Sequence, residues 1–136
     1  ADWAAASGLA APVAAVLAGD VAALAARFGA ILNAKVLRLR LDVIEDDACA
    51  RLHVDRVRAR LLCTLRGSGT EIAPVDAEGR PGAVERLPRG AVAILRGTLW
   101  PGPERTGVLH RSPPIAGTGE RRLLLVLDED AACGGC

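Results

Sequence analysis

With 136 residues, 51% of them apolar, the chain can bury a core of its own and needs neither disulfides nor a structural metal to fold. A formal net charge of +1 argues against a phosphate-binding surface. Trp3, Phe28 and Trp100 are its only aromatic residues, too few for a base-stacking platform, so nucleic acid is not an expected partner.

The N-terminal region is Ala-rich. Pro12 suits the first turn of a short helix that Gly19 can stop, and Asp20 can cap a second. Val21, Leu24, Phe28, Ile31 and Leu32 follow the spacing of one buried helical face. Pro12, Asp20 and Arg27 interrupt the region, so it is not expected to supply the ~20 consecutive apolar residues of a membrane span. It also lacks the basic start of a signal peptide, and Ala1 in place of Met suggests a processed or trimmed chain. A cytoplasmic setting with reduced thiols is the expectation.

The remainder reads as β. From Val36 to Ile44, Leu37, Leu39, Leu41 and Val43 alternate with Arg38, Arg40 and Asp42, the pattern of a half-buried strand. In a second strand Val57, Ala59, Leu61, Cys63 and Leu65 are expected inward, with Arg56, Arg58, Arg60 and Arg66 outward. Residues 67–90 are rich in Gly and Pro and read as a long loop, with room for a short strand near Glu71 to Val75. Ala91 to Arg96, Gly107 to Ser112 and Arg121 to Leu127 complete the strands. Short strands separated by turn signals indicate a barrel or sandwich. One domain is expected: helical over 1–34, a β-barrel over 35–128, and a flexible cysteine-containing tail over 129–136.

The two histidines and one aspartate carry the chemistry. If the strand is already extended at His53, then positions 53, 55, 57, 59, 61 and 63 share its apolar face. An imidazole and a carboxylate then point inward together. A buried carboxylate is costly alone, and a metal ion is one partner that offsets the cost. Asp55 could instead pair with Arg56, Arg58 or Arg60, or only with His53 in a metal-free module. His110, on a separate strand, is the remaining histidine. Two histidines and a carboxylate on one side of an ion leave open coordination positions, which suits non-haem Fe(II).

The segments HVDRVRARLLCTLRGSG (His53 to Gly69) and GVLHRSPPIAGTGERRLLLVLD (Gly107 to Asp128) resemble a bacterial family known as domain of unknown function 1826. The likeness runs from about Leu37 onward. More remotely, the chain resembles the double-stranded β-helix oxygenases that use Fe(II) and 2-oxoglutarate, the phytanoyl-hydroxylase branch above all. There a His-x-Asp opens one strand, a second His lies on a late strand, and an Arg or Lys follows it. The resemblance implies a mainly β (α+β) fold, a cupin-like double-stranded β-helix with the N-terminal helices packed outside. It implies metal ligation by His53, Asp55 and His110, and it places Arg121 and Arg122 at the matching distance after His110. Arg122, directly before the Leu run, is preferred over Arg121 as bidentate partner of a 2-oxo acid carboxylate. Ser112 shares the parity of His110 and could hydrogen-bond the co-substrate or a ligand histidine. The absence of Tyr departs from the pattern of many such enzymes. The first family also implies zinc handling and a metal-chaperone GTPase as partner. A non-enzymatic zinc-binding protein is thus the alternative to an oxygenase acting on an unidentified substrate.

The cysteines leave a second ligand set open. Cys133 and Cys136 form a C-x-x-C that could be half a zinc site or a redox pair, although no second such pair exists. Cys49 could join His53 and His110 through a local helical turn. Cys63 reads as a small apolar strand residue. Gly67-x-Gly69 and Gly117-x-Gly119 are too short for phosphate loops, and Ser7, Ser68 and Ser112 show no relay of His and acid.

Overall fold

The computed structural model describes residues 8–130. The chain divides into two compact units, Ala1–Leu37 and Arg38–Cys136.

Among the described residues the first unit holds one helix, α1 (Ala11–Leu32), where two were expected over 12–33. Gly19 and Asp20 sit exposed in its middle. An exposed glycine inside a helix costs only about 1 kcal/mol relative to Ala, too little to break a run of strong helix formers. Pro12 lies in the first turn as predicted. Asn33 closes the helix in the left-handed conformation (φ 51°), and the amide of Ala34 reaches back to the carbonyl of Gly29 at 2.9 Å. Ala14, Val21, Phe28 and Leu32 are its buried positions, a narrower stripe than predicted, since Ile31 is exposed. Contrary to the expectation drawn from Pro12, Asp20 and Arg27, this helix is long and apolar enough to cross a membrane, by length and composition alone.

The second unit is two antiparallel sheets. In the first, β1 (Leu37–Ile44), β7 (Arg122–Glu129), β2 (Ala59–Arg66) and β5 (Val92–Arg96) lie in that order. In the second, β4 (Glu85–Arg86), β3 (Glu71–Pro74) and β6 (Val108–Arg111) do. The Gly/Pro-rich 67–90 region therefore contributes two short strands. Mainly β architecture is what the alternating segments required.

The two central strands, β2 and β7, are buried along most of their length, and β1 and β5 flank them half-buried. In the register Leu61 opposes Leu127 and Cys63 opposes Leu125 on one face. Leu62 opposes Val126 and Thr64 opposes Leu124 on the other. A strand covered on both faces has no outward side for charge. The expectation that Arg60 points to solvent is therefore corrected: it is 3% exposed. In β1 the expected inward Val43 is exposed, and Ile44 packs instead against Leu62, Leu124 and Val126.

Candidate metal centre

Backbone pairing brings the histidines together first. His53 and His110 form an isolated antiparallel bridge and exchange both hydrogen bonds, amide to carbonyl, at 2.9 and 3.0 Å. Their side chains thus leave the same face, with ring centroids 4.5 Å apart. On its other edge β6 pairs with β3, where Ile72 opposes His110. His110 is held between two strands and is nearly buried, while His53 is partly open.

Asp55 arrives by a different route from the one expected. Residues 54–58 belong to no strand and bend at 56–58, and β2 starts only at Ala59. Side-chain parity is therefore not carried from His53 into β2. The face of β2 turned toward the site carries Arg60, Leu62 and Thr64, not Leu61 and Cys63. A tight turn aims Asp55 instead. Thr98 donates its amide to the Asp55 carbonyl (2.9 Å), Gly97 to Arg58 (2.8 Å) and Leu99 to Val57 (3.0 Å). Any Cβ at Gly97 would lie 2.0 Å from the Val57 carbonyl oxygen and 2.6 Å from that of Asp55, so glycine is required.

The result is a tight His–Asp–His group whose ligand atoms all lie within 4.8 Å of one another. Nε2 of His110 is 3.0 Å from Oδ2 of Asp55, and Nε2 of His53 is 3.3 Å from Oδ1. Asp55 is 3% exposed, and neither of its oxygens receives a well-directed hydrogen bond. Nδ1 of His53 sits 2.6 Å from the carbonyl oxygen of Arg51. A carbonyl can only accept, so Nδ1 carries the proton, and in the neutral ring Nε2 is a bare lone pair facing Asp55. A carboxylate and an imidazole lone pair side by side, with the second imidazole within reach, fit a divalent cation. Burial would push the Asp55 carboxyl up, but His110, His53 and Arg60 beside it hold it well below the usual carboxylate range. The adjacent Asp55 carboxylate raises His53 above its ordinary value.

Two buried arginines frame the group. Arg60 sends NH1 toward Oδ1 of Asp55 at 3.0 Å, while its Nε and NH2 donate to the two oxygens of Asp128 at 2.6 and 3.0 Å. Arg122 is fully buried. It donates to the Ser68 carbonyl (2.7 Å) and to the hydroxyls of Ser112 (3.0 Å), Thr70 (3.2 Å) and Thr64 (3.3 Å). No carboxylate among the described residues lies within salt-bridge distance of it, and burial lowers its pKa. Arg121, by contrast, is 68% exposed and pairs with Glu45 at 2.7 Å. The structure thus separates the two arginines that strand parity left open.

A cavity of about 740 Å³ opens onto the group. Ile44, Leu62, Leu124 and Val126 form its apolar wall, with Thr70 and Ser112 beside the histidines. Cys49 also lines the cavity but, against the expectation of reduced thiols, is disulfide-bonded, so it offers no thiolate, and the set of Cys49, His53 and His110 does not form. Cys133 and Cys136 lie outside the described residues. Sequence reasoning missed Arg60, Asp128, Thr64 and Thr70. A usable signal was present in the Leu run before Asp128: an acid ending a fully apolar strand needs a buried cation opposite it.

An antiparallel two-sheet β unit presenting a 2-His-1-carboxylate group is the class of arrangement these observations define. Residues 2–128 match the family described as protein of unknown function (DUF1826), and the chain belongs to that family. No curated protein matches the sequence. Among solved structures the chain is similar to Fe(II) HppE, with 19% identity and a TM-score of 0.42 over 68% of this chain and 42% of that one. It is also similar to hydroxypropylphosphonic acid epoxidase from S. wedmorenis in complex with fosfomycin, with 19% identity and a TM-score of 0.43 over 68% of this chain and 43% of that one. The substrate-bound form 2 of Fe(II) HppE gives 20% identity and a TM-score of 0.42, over 71% and 44%. The chain spans less than half the length of these proteins.

Proposed function

We propose that His53, Asp55 and His110 hold one divalent metal ion in a cupin-like barrel, and that the protein is an Fe(II)-dependent oxygenase using 2-oxoglutarate. The observation that carries the metal is the buried Asp55 carboxylate, both oxygens without directed hydrogen bonds, between two imidazole Nε2 atoms. Bound Fe(II) would supply redox chemistry and the open positions that a chelating 2-oxo acid needs. Arg122 supports the co-substrate. A buried guanidinium surrounded by neutral acceptors attracts an anion, and the Ser112 and Thr70 hydroxyls that accept from it also line the cavity. The apolar wall would exclude water and hold the body of an uncharged or amphipathic substrate.

One observation favours the second reading, a non-enzymatic zinc-binding protein. Arg122 is 0% exposed and already donates to four protein acceptors, as a purely structural arginine would. That reading carries with it a cytoplasmic setting and a metal-chaperone GTPase partner.

The test is metal content by elemental analysis, together with calorimetric 2-oxoglutarate binding, for wild type, His110→Ala and Arg122→Met. The oxygenase reading expects stoichiometric metal in wild type and Arg122→Met but not in His110→Ala. It expects 2-oxoglutarate to bind only iron-loaded wild type. Iron-loaded protein that ignores 2-oxoglutarate leaves the zinc reading standing. Failure to hold any divalent ion sinks both.

A further inference from the structure

Arg60 and Asp128 form a buried ion pair beside the His–Asp–His group. A guanidinium 3.0 Å from Oδ1 of Asp55 competes with any cation for that carboxylate. Alone, Arg60 would neutralise Asp55 and close the site. It is not alone. Asp128, 2% exposed, takes Nε and NH2 in a two-point fork at 2.6 and 3.0 Å. A planar guanidinium held by two adjacent nitrogens cannot turn, so only NH1 is left to reach Asp55, and only toward Oδ1. Oδ2, on the side of His110 Nε2, stays open. The charges of Asp55, Arg60 and Asp128 sum to −1 in the buried cluster, which favours a divalent ion. Arg40, half-exposed at the cavity rim, is 3.9 Å from Asp128 and 3.4 Å from Asp42, too distant and too solvated to release the fork.

We propose that Asp128 and Arg60 are positioning residues for the metal centre: Asp128 pins Arg60 so that Asp55 ligates through Oδ2 alone while Oδ1 stays on the guanidinium. The inference rests on the metal reading above and extends it to two residues that are not themselves ligands. Asp128→Asn breaks the charge of the fork, which frees Arg60 to fold onto Asp55 and compete with metal. Removing the competitor as well, in Arg60→Met/Asp128→Asn, restores access to Asp55.

The experiment is Co(II) titration of the metal-free full chain, followed by the cobalt visible spectrum, with circular dichroism confirming the fold of each variant. Asp128→Asn is expected to weaken Co(II) binding about 10- to 100-fold, the usual effect of losing a partner behind a metal ligand. The double variant is expected to return to within roughly threefold of wild type, since a buried ion pair replaced as a unit is often neutral. Its cobalt spectrum should differ from that of wild type, because Oδ1 is no longer occupied. A merely structural role predicts the opposite order, with the double variant the weaker binder. Equal affinity of Asp128→Asn and wild type, or no recovery in the double variant, overturns the proposal. If Asp128→Asn does not fold, Asp128→Glu keeps the charge but misplaces the fork, and unchanged affinity there overturns it too. Absence of cobalt binding in wild type is the separate result that removes the metal reading itself.

Discussion

The two faces of the β2–β7 pair are built from the same strands to opposite ends. On one, Leu61, Cys63, Leu125 and Leu127 are each 5% exposed or less, and they have no polar atom to satisfy except the thiol. On the other, Leu62, Leu124 and Val126 share the surface with Arg60, Thr64, Arg122 and Asp128, which are just as deeply buried. Every charged member of the second face makes directed hydrogen bonds, whereas Asp55, beside it, lies within ion-pair distance of Arg60, His53 and His110 but receives no directed hydrogen bond. Burial without satisfaction is unstable unless something else occupies the site. The apolar face is therefore expected to carry stability, and the mixed face the proposed metal chemistry.

Substitutions should separate the two faces. Leu127→Ala, opposite Leu61 in the apolar register, should cost about 2–5 kcal/mol in urea unfolding. Its metal affinity per folded molecule should stay within roughly threefold of wild type, since no ligand leans on that face. A large loss of metal affinity would mean that the faces are coupled. Metal itself is the next lever, and it acts on the mixed face alone. A divalent ion at one hundred times its dissociation constant should stabilise wild type by about 2.7 kcal/mol, by mass action. Thermal unfolding of His110→Ala should show none of that gain. An equal shift in both proteins would place the ion elsewhere.

The same contrast explains what could be read from the residues alone. The apolar alternation of 57–65 and the Leu run after Arg122 specify central strands, because period-two hydrophobicity is a local property. His53, Asp55 and His110 stand out by residue type, but Asp55 does not continue the alternation of the β2 face. The chain breaks at 54–58, and a distant turn at Gly97 to Leu99 sets the Asp55 backbone. Such a clamp depends on a pairing between segments some forty residues apart, which periodicity does not encode. Arg60 was misplaced for a related reason. Alternation reports which face is apolar but not whether the polar face is covered, and here a second sheet and a cavity lie over it. Arg121 and Arg122 are adjacent and chemically identical, so only the start of β7 at Arg122 distinguishes them. Gly19 and Asp20 carry strong stop and cap signals that predict two helices, and the long Ala-rich context outweighs them.

The turn at Gly97 offers a way to damage the mixed face from outside it. A methyl group there meets two carbonyl oxygens of the 55–58 segment, so the segment or the turn must shift. Gly97→Ala should cost about 1–3 kcal/mol, the usual penalty of overpacking. Unlike Leu127→Ala, it should also weaken metal binding, because the displaced backbone is that of Asp55. Titration of the folded variant would show the loss. Retained affinity would mean that Asp55 is aimed by its side-chain neighbours and not by the clamp.

The smallest effect belongs to the neighbour of the most buried arginine. Arg121 ends just before β7, is 68% exposed, and contacts Glu45 at 2.7 Å, itself 55% exposed. Two mobile, solvated side chains gain little by meeting, and salt screens what they gain. Arg121→Ala should therefore change stability by no more than about 1 kcal/mol. It should leave metal and 2-oxoglutarate binding at wild-type values. Arg122→Met, one residue later, removes the donor that joins Ser68, Ser112, Thr64 and Thr70, and so tests the mixed face directly. If Arg121→Ala and Arg122→Met behave alike in both assays, the division between a solvated strand start and a buried cation is wrong. If only Arg122→Met loses the 2-oxo acid, one step along the chain separates surface from site.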